Sequence, residues 1–373
     1  MAAGFGTFIN LYTTQAILAV LASTYHVPLA DTGLTVTAPL AAVAIVAPFV
    51  GSISDRLGRK RLIVSAGFLL ALPTLAIAFA PNFVTLIAFR FAQGLLLPFI
   101  FAVTVAYIGE EVHDAENIHL AGNYSIGTII GGFCGRLVAG YTASFLGWRA
   151  GFVVLAALTA GAALVVAISL PREQVFRPQR GLRAALSGFA AHLVNPRLIA
   201  TYAAGFAVLF SIVATFTFVN FLLAGPPYRL GPAALSNVFA TYLVSLFSTP
   251  LSSRLAMRFG RRLTLALAAL TGIAGLLFTL AAPLGWIVAG LSIAVGGMFI
   301  EQVMAIGFIG AAAERAKSTA VGLYVTFYYI GGSLGGLLPA GIWHTAGWPG
   351  CVGLVIIVQL AMLAIALPFW RPV

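Results

Sequence analysis

Three ionisable side chains stand deep inside long apolar runs: Arg90, Arg136 and Glu301. A charge held in hydrocarbon costs ~3 kcal/mol or more, so such residues point to proton relay or to binding of a charged solute. Glu301 is the single acid so placed. Removal from water favours its neutral carboxylic form, whereas an approaching cation favours the carboxylate. A carboxyl drawn both ways can take up a proton in one state and release it in another; a packing role is the alternative. Arg90 and Gln93, three residues apart, share one helix face, and Gln302 follows Glu301. Asn10, Tyr12, Thr14 and Gln15 add polar groups in the first apolar run, and Thr215, Thr217 and Asn220 add them in a later one. Thr14, Thr215 and Thr217 read as helix-to-helix hydrogen bonds. Arg136, among Gly131, Gly132, Gly135 and Gly140, fits a substrate contact and a donor to backbone carbonyls equally well.

Other chemistries fall away. Glu110, Glu111, His113, Asp114, Glu116 and His119 have a conceivable metal spacing, but they occupy a short polar turn without an apolar shell. They read as a solvated turn. Cys134 and Cys351 fit neither a disulfide framework nor a zinc site. No Gly-x-x-x-x-Gly-Lys-Ser/Thr loop occurs, and the only lysines are Lys60 and Lys317, which excludes ATP-driven pumping. No catalytic constellation, metal site or cofactor is expected, and the protein is read as a non-enzyme.

The elements that must position these groups follow from composition. Of 373 residues, 61% are hydrophobic and 8% charged, and the mean hydropathy is +1.04. A soluble fold lacks the polar side chains to cover so much apolar surface. Apolar runs at 4–24, 33–53, 62–80, 83–108, 118–143, 149–170, 196–224, 232–252, 263–281, 284–311, 319–343 and 349–370 predict twelve membrane-spanning helices. Counting from Leu284 at ~1.5 Å per residue puts Glu301 about 25 Å along its helix, cytoplasmic of the midplane and partly hydrated. Sixteen of the 20 Lys and Arg fall in one set of loops, while Arg149 and Arg229 alone occupy the other. The positive-inside rule then places both termini in the cytoplasm, and the net charge of +11 reflects this bias rather than nucleic-acid binding. The first run has no basic segment before it, so no cleavable signal peptide is read. The chain begins almost within that span, as it would if a cytoplasmic leader were missing.

The halves repeat. Gly122, Gly131, Gly132, Gly135, Gly147 and Trp148 recur 200 residues later as Gly322, Gly331, Gly332, Gly335, Gly347 and Trp348. Pro48, Arg56, Gly58 and Arg59 recur as Pro250, Arg258, Gly260 and Arg261, 202 residues on. The expected organisation is a six-helix bundle over 1–171, a cytoplasmic linker over 172–195 and a second six-helix bundle over 196–373. In the linker, Leu182, Leu186, Phe189 and Leu193 recur at helical spacing beside Arg180 and Arg183. That pattern predicts an amphipathic helix on the inner leaflet.

Gly51-Ser52-Ile53-Ser54-Asp55-Arg56-Leu57-Gly58-Arg59-Lys60-Arg61 resembles the signature loop of the major facilitator superfamily, and Arg90-Phe91-Ala92-Gln93-Gly94 resembles its Arg-x-x-Gln-Gly element. Gly127 … Gly131-Gly132-Phe133-Cys134-Gly135-Arg136 resembles the glycine-rich element of the antiporter branch, with Gly132 where a proline is usual. Leu11-Tyr12-Thr13-Thr14-Gln15 with Gly135-Arg136 is most similar to the bacterial YnfM-type group near the drug:proton antiporters. The resemblance covers the whole chain and implies an all-α fold of two pseudo-symmetric six-helix bundles, with spans one, four, seven and ten lining a central cavity. Asn10, Tyr12, Gln15, Arg90, Gln93, Arg136, Asn220, Glu301 and Gln302 are then the candidate coupling and substrate residues. It also implies a conformational latch at Gly51, Asp55, Arg56, Gly58 and Arg59. There the glycines permit a tight turn, and Asp55 beside Arg56 is expected to form an ion pair.

The expected function is secondary active transport by alternating access, exporting a small organic compound or drug against protons, in the bacterial inner membrane. An importer, an uncoupled facilitator and a non-transporting receptor or scaffold stay open as alternatives. The expected partners are a small-molecule substrate and the lipid bilayer, with neither nucleic acid nor ATP, and the chain is expected to act as a monomer.

Overall fold

A computed structural model describes residues 1–111, 114–171, 173, 192–313 and 317–370. Among them every regular element is helical. In chain order these are α1 Ala2–Leu11, α2 Leu18–Tyr25, α3 Leu34–Val46, α4 Val50–Leu57, α5 Arg59–Ile77, α6 Phe83–Glu111 and α7 Asp114–Phe145. They continue with α8 Trp148–Ser169, α9 Pro196–Ala224, α10 Pro232–Val238, α11 Ser245–Phe278, α12 Leu284–Ala312 and α13 Lys317–Phe369. The amphipathic linker pattern apart from Leu193, and most of the acidic turn, including His113, Asp114 and Glu116, lie outside the residues whose side chains are described.

Among the described residues eight helical stretches are long and apolar enough to cross a bilayer, and a ninth arises if Ala2–Leu11 and Thr13–Tyr25, bent by 43°, count as one broken span. Two of the eight, of 47 and 51 residues, are about twice the ~20 residues that one crossing needs. Each breaks midway, at Gly260 (φ 75°) and Gly347 (φ 58°). Dividing them there and adding the 32-residue α7 recovers the twelve spans.

The chain divides into two compact units, Met1–Leu182 with Leu230–Asn237, and Arg183–Arg229 with Val238–Val373. In the first, α1 lies along α7, and α6 packs against α3 and α5. In the second, α9 lies along α13 and α11 along α12. Both units use the same local devices. A Cβ on Gly135 would run into the Ile9 carbonyl of α1, and one on Gly335 into the Phe210 carbonyl of α9, so these glycines permit the close helix approach. Gly58 (φ 85°) and Gly260 (φ 75°) make equivalent breaks after the second and eighth spans. The repeat in the sequence is therefore a repeat in backbone geometry.

Burial separates inner from outer helices. In the apolar window of α9, 89% of the residues are buried, against 39% for α8. Asn195 caps α9, its side chain accepting from the Arg197 amide at 3.0 Å, with Pro196 opening the helix. Large apolar residues such as Phe79, Phe145, Ile168 and Phe247 stand more than 70% exposed. That is the surface a bilayer covers.

Candidate functional site

In the first unit the predicted polar residues converge on the break in the first span. α1 ends at Leu11 and a 3-10 turn follows over Thr13–Ile17. Arg90 on α6 reaches this break fully buried. Its Nη1 donates to the Asn10 carbonyl at 2.7 Å and to Gln93 Oε1 at 2.6 Å, and its Nη2 donates to the Leu11 carbonyl at 2.6 Å. Nε donates to the Thr35 carbonyl of α3 at 2.9 Å. A guanidinium thus sits on the last carbonyls of a half-helix, where the backbone dipole is negative.

The network continues without a gap. Gln93 Nε2 donates to Thr74 Oγ1 at 2.7 Å and, at 3.4 Å, to Asn10 Oδ1. Thr74 Oγ1 donates to Asn10 Oδ1 at 2.9 Å, and Asn10 Nδ2 donates to Thr159 Oγ1 at 2.8 Å. Asn10, Arg90 and Gln93 were legible in the sequence; Thr74 and Thr159 were not, since a threonine in an apolar run has no distinguishing neighbour.

Arg136, Gln15 and Tyr12 form a second buried group. Arg136 Nε and Nη2 both donate to Gln15 Oε1, at 3.0 and 2.7 Å, while Nη1 donates to the Gly132 carbonyl at 2.8 Å. The guanidinium lies 4.9 Å from the Tyr12 ring centre, within cation–π range.

At the signature loop the pairing differs from expectation. Arg56 is exposed, and Asp55 pairs instead with Arg59 at 2.8 Å. Asp55 and Arg56 are neighbours on α4 and diverge in direction, whereas Arg59 opens α5 beyond the break at Gly58 (φ 85°) and comes back to Asp55 across it. Arg59 also holds Glu110 of α6 through Nε at 3.0 Å and Nη2 at 2.7 Å, and it bonds Ser54 Oγ. Glu110, read as part of a solvated turn, is thus a member of this cluster. Nothing lies within 4 Å of where a Gly51 Cβ would stand.

In the second unit Glu301 on α12 is fully buried rather than partly hydrated, and neither carboxylate oxygen has a hydrogen-bond donor. The Oε1 atom lies 3.6 Å from where a Cβ on Gly272 of α11 would stand. Tyr324 and Gln359 of α13 lie within electrostatic reach of the carboxyl. Gln359 Nε2 donates to Ser211 Oγ of α9 at 3.1 Å. Gln302, the next residue, is only half-buried. Asn220 is buried and donates to the Phe216 carbonyl at 2.6 Å, with Oδ1 unpartnered. Gln359 and Ser211 escaped the sequence reading. The available signal was the repeat, because Gln359 stands 200 residues after Thr159.

Phe206, Phe210, Tyr324 and Tyr328 are the aromatics whose sequence allows either a pocket or packing. Phe206 borders an apolar cavity of about 350 Å³ with Tyr202, Phe327 and Met362. Phe210 stacks on Phe206 at 6.0 Å, and Tyr324 stacks on Tyr328 at 5.9 Å.

The chain matches the profile of the Major Facilitator Superfamily over residues 1–336. It is 32% identical to the inner membrane transport protein YnfM of Escherichia coli K12, across 96% of this chain and 86% of that one. It is equally identical to the MFS-type transporter YybF of Bacillus subtilis 168, across 97% and 90%. Among solved structures it resembles the nucleoside transporter NupG (14% identity, TM-score 0.78, 99% of each chain). It also resembles an inward-facing bacterial homologue of the lysosomal transporter Spinster (16% identity, TM-score 0.73, 98% and 93%). Those two likenesses concern the fold. The polytopic helical architecture, the duplicated breaks and the profile match agree, and the chain belongs to the major facilitator superfamily of membrane transporters.

Proposed function

We propose that this transporter exports a small organic compound in exchange for protons, working by alternating access in the bacterial inner membrane with both termini in the cytoplasm. The carrying observation is Glu301. A fully buried acid with no donor on either oxygen is costly as a carboxylate and inexpensive as a neutral acid, so its charge changes with access to water. The skew of Lys and Arg supports the orientation. Residues 1–171 and 196–373 are taken as the two moving bundles and 172–195 as their linker, with Asp55, Arg59 and Glu110 as the latch of one conformational state. The proton gradient is the drive, and the working unit is a monomer.

The test is flux in proteoliposomes and inverted vesicles over a panel of solutes, with and without a pH gradient. Glu301→Gln is expected to abolish gradient-driven uptake into inverted vesicles while sparing substrate counterflow, which needs no net proton movement. Flux indifferent to the gradient in the wild type, or gradient-driven uptake surviving in Glu301→Gln, overturns the proposal.

A further inference from the structure

We infer that Glu173 is a positioning residue of the conformational latch: it caps the first turn of α5 in place of the side chain that Gly58 lacks, and it ties the start of the linker to the turn that aims Arg59. The inference rests on the reading of Asp55, Arg59 and Glu110 as that latch. Helix α5 opens at Arg59 with Gly58 as its N-cap, and the amides of a first turn have no partner within their own helix. An N-cap side chain ordinarily accepts from the second or third of them. Gly58 has none to offer. Glu173, 113 residues beyond Lys60, supplies the missing acceptor, its Oε2 taking the Lys60 amide at 3.3 Å. Its Oε1 fills the space into which a Cβ on Gly58 would run.

The chain around Glu173 is itself held. α8 ends at Ser169, Leu170 is extended (φ −78°, ψ 122°), and the Tyr107 hydroxyl of α6 donates to the Pro171 carbonyl at 3.1 Å. Tyr107 stands three residues before Glu110, so the two lie on one face of α6. That face fixes the exit from α8 through Tyr107 and the Arg59 guanidinium through Glu110. The bond from the Lys60 amide to Glu173 joins these two holds. Arg59 lies between Gly58 and Lys60, the two residues set against Glu173. A guanidinium fork engages carboxylates in a fixed geometry, so rotation of this turn carries it away from Asp55 and Glu110. A shift of Glu173 therefore reaches the latch through one hydrogen bond.

The second unit shows that such a break does not by itself require a cap. Gly260 (φ 75°) makes the equivalent break, and among the described residues nothing lies within 4 Å of where its Cβ would stand. Met257 occupies the place of Asp55 there. The third acid thus accompanies the latch rather than the break. Three of the nine acidic residues in the chain, Asp55, Glu110 and Glu173, converge on the consecutive residues Arg59 and Lys60. A carboxylate also suits a helix start, where the backbone dipole is positive.

The experiment is hydrogen exchange of the full-length protein in lipid nanodiscs, read by mass spectrometry on peptides that span Lys60. Glu173→Met, close in volume but without an acceptor, is expected to speed exchange there about fivefold, the loss of one capping bond. Glu173→Gln keeps an oxygen for the amide and should restore most of the protection. Thermal unfolding then reads the tie to the latch. Glu173→Met and Asp55→Asn loosen the same turn, so the double variant should lose less than the sum of the single losses. Unchanged exchange in Glu173→Met, or an equal rise in Glu173→Gln, overturns the cap and with it the inference. Strictly additive losses overturn the tie to Arg59, leaving Glu173 a local cap alone. The latch reading fails by a different result, Asp55→Asn transporting at the wild-type rate, which removes this inference too without altering exchange at Lys60.

Discussion

The two units both bury polar groups and treat them in different ways. In the first, Arg90, Gln93, Asn10, Thr74 and Thr159 form a closed network in which the guanidinium also caps the broken first span. In the second, Glu301, Gln359, Tyr324 and Asn220 leave five polar atoms unpartnered: both Glu301 oxygens, Gln359 Oε1, the Tyr324 hydroxyl and Asn220 Oδ1. A satisfied buried network rigidifies, whereas an incomplete one stays responsive because each orphan costs free energy until a hydrogen or ligand reaches it. The two repeats thus differ in how fully these buried polar groups are satisfied.

The largest expected effect breaks the closed side. Arg90→Ala strands the carbonyls of Asn10, Leu11 and Thr35 together with Gln93 Oε1, at a cost of about 3 kcal/mol or more. Thermal unfolding in detergent should show it, or folded protein should fail to accumulate. Arg90→Lys keeps the charge but cannot reach three carbonyls and an amide at once, and most flux should be lost. An Arg90→Lys protein with wild-type flux and pH dependence would end the claim that this network is set.

The next test has the opposite sign. Glu301→Gln replaces an unsatisfied acid by a neutral isostere, so stability should be unchanged or gain about 1 kcal/mol, even as gradient-driven flux disappears. A destabilisation comparable to that of Arg90→Ala would make Glu301 a packing residue. Thr159→Val sharpens the contrast more gently, removing the acceptor for Asn10 Nδ2 at about 1 kcal/mol with the pH profile of flux unmoved.

The signature loop repeats the asymmetry at the surface. Asp55 and Glu110 share Arg59 in the first unit, whereas Met257, 82% exposed, stands at the position of Asp55 in the second. Asp55→Asn should slow transport while leaving substrate binding intact and costing under about 1 kcal/mol, since the pair is partly solvated. The smallest effect is expected of Met257→Asp, which offers Arg261 across the Gly260 break the partner that Asp55 gives Arg59 across Gly58, an exposed pair worth roughly 0.2–1 kcal/mol. Flux rates and melting temperatures of the single and double variants check both.

The continuous apolar runs and the repeat near 200 residues were enough to read the helical class and the span count, while the family was read from the motifs over residues 51–61 and 90–94. The helical class and the span count follow from properties summed over many residues, as transfer of apolar helix to lipid is. Arg90, Arg136 and Glu301 also stood out, because charge inside hydrocarbon is conspicuous without coordinates. What each charge touches was another matter. That Arg90 spends its donors on carbonyls at a helix break, and that Arg59 gathers Glu110 beside Asp55, depend on contacts between residues 50 to 80 positions apart. Periodicity says which side of a helix is apolar; the tertiary fold alone decides which helix lies against it, and a hydrogen bond, being short and directional, forms only after that choice is made.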